Sequence, residues 1–172
     1  MVAAVVLAAG LGTRMKSRTP KLLHELCGRP MVAYVVDAAR EATGARPLVV
    51  TSPPTAAVRA ALGDSADYAL QDEPRGTGDA VRAAIAALDE NVDEVLVLNG
   101  DVPLLDGGLL AELLEERRLD EAAIALVAVD AIDPGKLGRV IRDEAGTVER
   151  IVERKDATDE EIAVNEINSG LY

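Results

Sequence analysis

The sequence predicts an α/β fold: a mostly parallel sheet with helices on both faces. Three observations carry that expectation. Short apolar runs alternate with helical patterns along most of the chain. Those runs are continuous, as strands buried on both faces require. A glycine-rich turn follows the first of them, where a strand passes to a helix in doubly wound sheets.

Taken in order, residues 2–8 read as a buried strand. Residues 31–42 form a helical pattern with Val32, Val35, Val36 and Ala39 on one face, and Gly44 is its stop. Residues 47–52 are the next strand, and the alanine-rich stretch 55–62 the next helix. A short strand over 68–71, a helix over 77–88 and an apolar strand over 95–98 follow. A helix over 108–119 and a strand over 122–130 complete the alternation, which implies right-handed crossovers. After Asp130 the style changes. Residues 139–142 and 147–153, joined by Glu144-Ala145-Gly146, predict a hairpin. Thr158 caps an acidic helix start at Asp159-Glu160-Glu161. Residues 165–172 read as the opening of a further strand. The expectation is therefore one domain over residues 1–172, C-terminally truncated.

Composition narrows the function classes. Hydrophobic residues make up 49% of the 172, ample for a packed core. Eighteen Lys and Arg against 30 Asp and Glu leave a net charge of −12, which argues against nucleic acid or an anionic membrane as partner. Phe and Trp are absent, so no aromatic platform for base stacking is expected. The single cysteine, Cys27, cannot form an internal disulfide, and no Cys/His cluster suits structural zinc. The apolar start lacks a basic leader and ends at Gly10, too short for a bilayer span. The expected location is the cytoplasm.

The turn Gly10-Leu11-Gly12-Thr13-Arg14-Met15-Lys16 carries the first chemical signal. Glycines at a strand's carboxyl end let backbone N–H groups approach a phosphate. Neither the dinucleotide fingerprint nor the Walker A pattern fits, because Met15 stands where each needs glycine. Residues 10–30 hold five cations (Arg14, Lys16, Arg18, Lys21, Arg29) and one anion, Glu25, so the remainder of the chain carries −16. Such a contrast fits a polyanionic ligand, with a solvated loop as the plainer reading. Asn99-Gly100-Asp101 ends a second apolar strand and faces the same crevice. One carboxylate there is enough to begin a site for Mg²⁺ on phosphates, though a Gly-Asp turn before Pro103 is also common. His24, the only histidine, has no partner residue in the sequence and reads as a packing or hydrogen-bonding group.

The runs Leu7-Ala8-Ala9-Gly10-Leu11-Gly12-Thr13-Arg14-Met15 and Pro20-Lys21-Leu22-Leu23-His24 resemble the signature of sugar-phosphate nucleotidyltransferases. Gln71-Asp72-Glu73-Pro74-Arg75-Gly76-Thr77-Gly78, Gly100-Asp101-Val102-Pro103-Leu104, Gly138-Arg139-Val140-Ile141-Arg142, Ile151-Val152-Glu153-Arg154-Lys155-Asp156-Ala157 and Glu166-Ile167-Asn168-Ser169-Gly170 resemble one branch of it. That branch is the uridylyltransferase (pyrophosphorylase) domain of the bifunctional bacterial enzyme that makes UDP-N-acetylglucosamine, a cell-wall precursor. The resemblance covers essentially the whole chain.

The resemblance implies a Rossmann-like nucleotidyltransferase fold. It implies transfer of a uridylyl group from UTP to N-acetylglucosamine-1-phosphate, with Mg²⁺ as cofactor. Leu7, Ala8, Ala9 and Gly10 would line the nucleotide site, Arg14 would hold the β- and γ-phosphates, and Lys21 would meet the α-phosphate. Gln71, Gly76 and Thr77 would read the uracil, and Asp101 would bind Mg²⁺. Gly138, Glu153 and Asn168 would bind the amino sugar; a surface charge is the plainer reading of Glu153. The chain departs from the family at Asp79, commonly His, at Leu137, usually Tyr, and at Ser169, usually Thr. The family's second metal ligand and its β-helix acetyltransferase domain lie beyond Tyr172, and self-association would run through those parts. Two alternatives stay open. One is the same chemistry on glucose-1-phosphate with UTP or dTTP; the other is a nucleotide-binding fragment without turnover.

Overall fold

The computed structural model describes residues 1–10, 12, 15–17, 19–73 and 75–172. They form two compact units, Met1–Ala122 and Ala123–Tyr172.

In the first unit β1 (Val2–Leu7) precedes a small antiparallel ribbon of β2 (Glu25–Leu26) and β3 (Arg29–Pro30). Then come α1 (Met31–Thr43), β4 (Leu48–Thr51), α2 (Ala57–Leu62), β5 (Asp67–Leu70), α3 (Thr77–Ile85), β6 (Glu94–Asn99) and α4 (Gly107–Leu119). β5, β4, β1 and β6 pair in parallel, in that order. The chain steps outward from β1 to β4 to β5, then returns to lay β6 on the other side of β1. The strand order therefore reverses at β1, with β4 on one side and β6 on the other, and the carboxyl ends of all four strands lie along one edge of the sheet.

Side-chain alternation explains why helices cover both faces. Val5, Leu48 and Val50 pack with Ala80 and Ala84 of α3. Val6, Val49 and Leu98 point the other way and are equally buried. On that side α1 packs against β1 and α4. The helical face read from sequence (Val32, Val35, Val36, Ala39) is the buried one. Gly44 ends α1 at φ 69°, a left-handed cap whose N–H donates to the Arg40 carbonyl. Asp106 caps α4 by accepting from the N–H groups of Gly108 and Leu109. The β2–β3 ribbon carries no readable pattern, being two residues per strand. Its turn places Cys27 and Gly28 at φ 50° and 80°.

An ion-pair cluster ties β6 to α4. Glu94 meets Arg117 at 2.9 Å and Arg118 at 2.5 Å, with its side chain 13% exposed. The bond from Arg118, helped by Arg117 and opposed by burial, holds the Glu94 carboxyl down to about 2. A depressed carboxylate stabilises the fold above its unfolded value, and that contribution is lost as pH falls toward 2. Glu94→Gln is expected to remove roughly 2 kcal/mol at neutral pH, allowing for the half-exposed Arg118. Melting at pH 7 and pH 3 checks it: the gap between variant and parent must shrink at the lower pH.

The second unit is antiparallel: β7 (Ala128–Asp130), β8 (Arg139–Arg142), β9 (Val148–Val152), α5 (Asp159–Ile162) and β10 (Glu166–Asn168), with sheet order β7-β10-β8-β9. The hairpin read from sequence is β8–β9, closed through Gly146 at φ 83°. Thr158 caps α5 in a reciprocal pair with Glu161. The strand expected over 122–130 is corrected to Ala128–Asp130. Its partner β10 is only three residues long, and Gly170 at φ 79° turns the chain away, so pairing past it reduces to isolated bonds at Val127. Arg139, almost fully buried, is held by the carbonyls of Gly135, Leu137 and Ile162. Among the described residues no helix is long and apolar enough to cross a membrane.

Candidate functional site

The crevice between β1 and β6 holds a cavity of about 470 Å³. Four segments of the first unit build it: the end of β1 with its glycine loop, the turn Lys21–Leu23, the stretch from Gln71 into α3, and the end of β6.

The β1 end is fixed by its neighbours. The Ala8 N–H donates to Val50 O at 2.9 Å, and the buried Ser52 hydroxyl donates to Ala9 O at 2.8 Å. Gly100 N–H donates to Leu7 O at 3.0 Å on the other side. A Cβ on Gly100 would lie 2.9 Å from that same carbonyl, so glycine lets the β6 exit press against β1. Gly12 has φ +60° and would place a Cβ 2.5 Å from Lys21 Cβ. The Lys21 stem therefore lies directly over the Gly12 backbone.

Lys21 Nζ is ion-paired with Asp101 Oδ2 in the cavity wall, each side chain about one third exposed at 35% and 36%. Opposite them Gln71 is buried at 4% exposure. Its backbone N–H extends the sheet to Thr51 O at 2.8 Å, and its Nε2 donates to Asp79 Oδ2 at 2.8 Å. Gly76, at φ 123°, opens α3, so Thr77 stands at the first helical position.

Leu7, Ala9, Gly10, Lys21, Gln71, Gly76, Thr77 and Asp101 thus line one cavity. Ala8 lies behind the wall, fully buried. Arg14 lies outside the described residues, as do Leu11, Thr13, Arg18 and Pro74. The charge reading of residues 10–30 is narrowed. Arg29 bonds Asp37 at 2.5 Å and stacks over Tyr34, and neither it nor Lys16 lines the cavity. His24 is absent from the lining too. Sequence reasoning missed Leu22 and Ala80, apolar wall residues without a chemical signature, and Ser52, whose role shows only in three dimensions.

Within the second unit Gly138, Glu153 and Asn168 are neighbours. Asn168 N–H donates to Gly138 O at 3.0 Å, and a Cβ on Gly138 would lie 3.5 Å from Glu153 Oε1. Asn168 Nδ2 donates to the Tyr172 hydroxyl at 2.6 Å.

Residues 4–166 match the MobA-like NTP transferase domain. The chain belongs to that family. It is 48% identical to the bifunctional protein GlmU of Heliobacterium modesticaldum over 98% of its own length and 37% of that protein. It is 49% identical to the bifunctional protein GlmU of Sorangium cellulosum, again over 98% of this chain and 37% of the other. The chain therefore spans little more than a third of these relatives. A crystal structure of a putative glucose-1-phosphate thymidylyltransferase from Bacillus anthracis matches 99% of this chain and 70% of its own at TM-score 0.77. At 19% identity that likeness shows the fold.

The membership rests on nearly the entire chain, so the site of this NTP transferase domain can be examined by substitution. Gly12→Ala leaves every charge in place. It adds a strained φ and a clash with the Lys21 stem, an expected cost of about 1–2 kcal/mol. A thermal melt of the variant beside the parent checks this; an unchanged midpoint would mean that the Lys21 stem yields without cost.

Proposed function

We propose that this domain transfers a uridylyl group from UTP to N-acetylglucosamine-1-phosphate, releasing pyrophosphate. The observation that carries the reading is the convergence of Lys21, Asp101 and Gln71 on one cavity at the β1–β6 switch point. Lys21 supplies positive charge, and glycine-lined backbone admits phosphates closely. Gln71 supplies an amide edge for a pyrimidine. The 48% identity to a GlmU protein and the ordered motifs of the uridylyltransferase branch favour UTP and the amino sugar phosphate.

The chemistry needs no covalent enzyme intermediate. An oxygen of the sugar phosphate attacks the α-phosphorus in line, and the bond from that phosphorus to the oxygen bridging to the β-phosphate breaks. The chain's work is alignment and stabilisation of charge on the transferring and departing groups. Lys21 meets the α-phosphate, and Arg14 meets the departing pyrophosphate as a bidentate fork. Within the second unit, Gly138, Glu153 and Asn168 are the proposed contacts for the amino sugar.

The donor set fits a divalent cation shared with phosphates. Asp101 is a single carboxylate at a strand end, and no group of three or more His, Cys, Asp or Glu is gathered among the described residues. Mg²⁺ in such sites takes one or two carboxylates and completes its shell with phosphate oxygens and water. When bound, it would neutralise phosphate charge. Asp101 would hold it, exchanging its ion pair with Lys21 for that role and releasing Lys21 to the phosphates.

Pyrophosphate release from UTP and N-acetylglucosamine-1-phosphate with Mg²⁺ tests the reading, with UTP affinity measured alongside. Absence of both turnover and UTP binding would reject it. A substrate panel with glucose-1-phosphate and dTTP fixes the specificity.

A further inference from the structure

We infer that Asp79 is the residue that makes the site selective for a uracil-type base, by fixing which way the Gln71 carboxamide points. The inference rests on the proposed reading that this cavity takes a pyrimidine nucleotide.

A glutamine amide presents an acceptor oxygen and a donor nitrogen, and nothing in its shape favours one orientation. Gln71 is buried, so its environment decides. Nε2 donates to Asp79 Oδ2 at 2.8 Å and to Gly76 O at 3.4 Å. Both partners are pure acceptors, since an ionised carboxylate and a carbonyl offer no proton. The reversed amide would set its oxygen against two oxygens. Among the described residues no protein donor reaches Gln71 Oε1, which leaves that oxygen as the free acceptor of a residue lining the cavity. Asp79 is itself steadied by Arg82 one helical turn on, at 4.0 Å.

An acceptor fixed in this way discriminates between pyrimidines. Uracil and thymine carry a hydrogen at N3 and satisfy it. Cytosine presents a bare N3 lone pair and meets oxygen against lone pair. Asp79 also explains why one departure from the family is tolerable here: any group at that position must accept from the amide, and a carboxylate does so without a choice of tautomer. Asparagine in its place would remove the obligate acceptor of the shorter of the two bonds that set the orientation and leave only the Gly76 carbonyl at 3.4 Å. The new side-chain amide can offer either edge, so it and the Gln71 amide can reverse together, and Gln71 then presents Nε2 to cytosine.

Titration calorimetry of the full 172-residue chain with UTP and with CTP gives the test. The parent is expected to favour UTP by roughly tenfold or more, and Asp79→Asn and Asp79→Ala to reduce the ratio to within about threefold, chiefly by gaining affinity for CTP. A merely structural role would weaken both nucleotides together and leave the ratio standing. That result, with both variants folded by circular dichroism, would overturn the assignment of Asp79 while leaving the proposed function intact. No UTP binding by the parent overturns both. A parent that binds UTP and CTP equally overturns the inference alone.

Discussion

Lys21→Met is expected to lower the proposed uridylyl transfer by roughly 10²–10³-fold while changing stability by less than about 1 kcal/mol. The contrast follows from where the charge sits. Lys21 is a third exposed and paired with a similarly exposed Asp101, and such pairs contribute little to folding. Methionine retains an unbranched stem to lie over Gly12, so the packing survives. What disappears is a point charge in the cavity wall, which in the proposed function faces the α-phosphate as it is transferred. Stabilisation of that kind acts on the transition state more than on the bound substrate. The rate should accordingly fall further than the UTP affinity. Rates of pyrophosphate release, UTP titrations and melts on one preparation separate the three. A variant with parental rates would show that Lys21 does not reach the phosphates. One that has lost stability instead would make it a structural residue.

How far this site could be read from sequence depends on whether its residues announce themselves locally. The parallel sheet was legible because β1, β4 and β6 are continuous apolar runs, a pattern imposed by burial on both faces. Gly10, Gly12 and Asp101 were legible because strand ends in such sheets converge on a crevice, and Lys21 through the cation cluster beside the glycine turn and the family resemblance. Their partners were less so. That Gly12 lies under the Lys21 stem, or that Asp101 pairs with Lys21 across eighty residues, depends on the β1–β6 register and leaves no trace in spacing. Arg29 shows the opposite error. It belongs to the cationic run in sequence, yet Asp37 on α1 claims it. The second unit was partly hidden because its strands are three to five residues long, too short for a period to declare itself. Its hairpin was readable only through the turn at Gly146. Arg139 was hidden altogether: an arginine in a strand pattern reads as surface, and only the carbonyls of Gly135, Leu137 and Ile162 make its burial tolerable.

Asp101→Asn is expected to uncouple nucleotide affinity from divalent cation and to lower transfer by roughly 10²–10³-fold. The side chain keeps its size, so the β6 exit held by Gly100 against Leu7 stays in place. In the proposed function, Asp101 of the parent opposes a bare triphosphate twice: its own charge repels phosphate, and it occupies Lys21. The amide does neither. UTP titrated with chelator present should therefore bind the variant several-fold more tightly than the parent, since a like charge a few ångströms away costs on the order of 1 kcal/mol in a partly exposed site. Added Mg²⁺ should tighten UTP binding to the parent and leave the variant nearly unchanged. This crossing pattern distinguishes a cation-holding carboxylate from one that only anchors Lys21. An anchor lost would weaken UTP binding with and without Mg²⁺ alike, and a retained Mg²⁺ response in Asp101→Asn would move the cation site to other ligands.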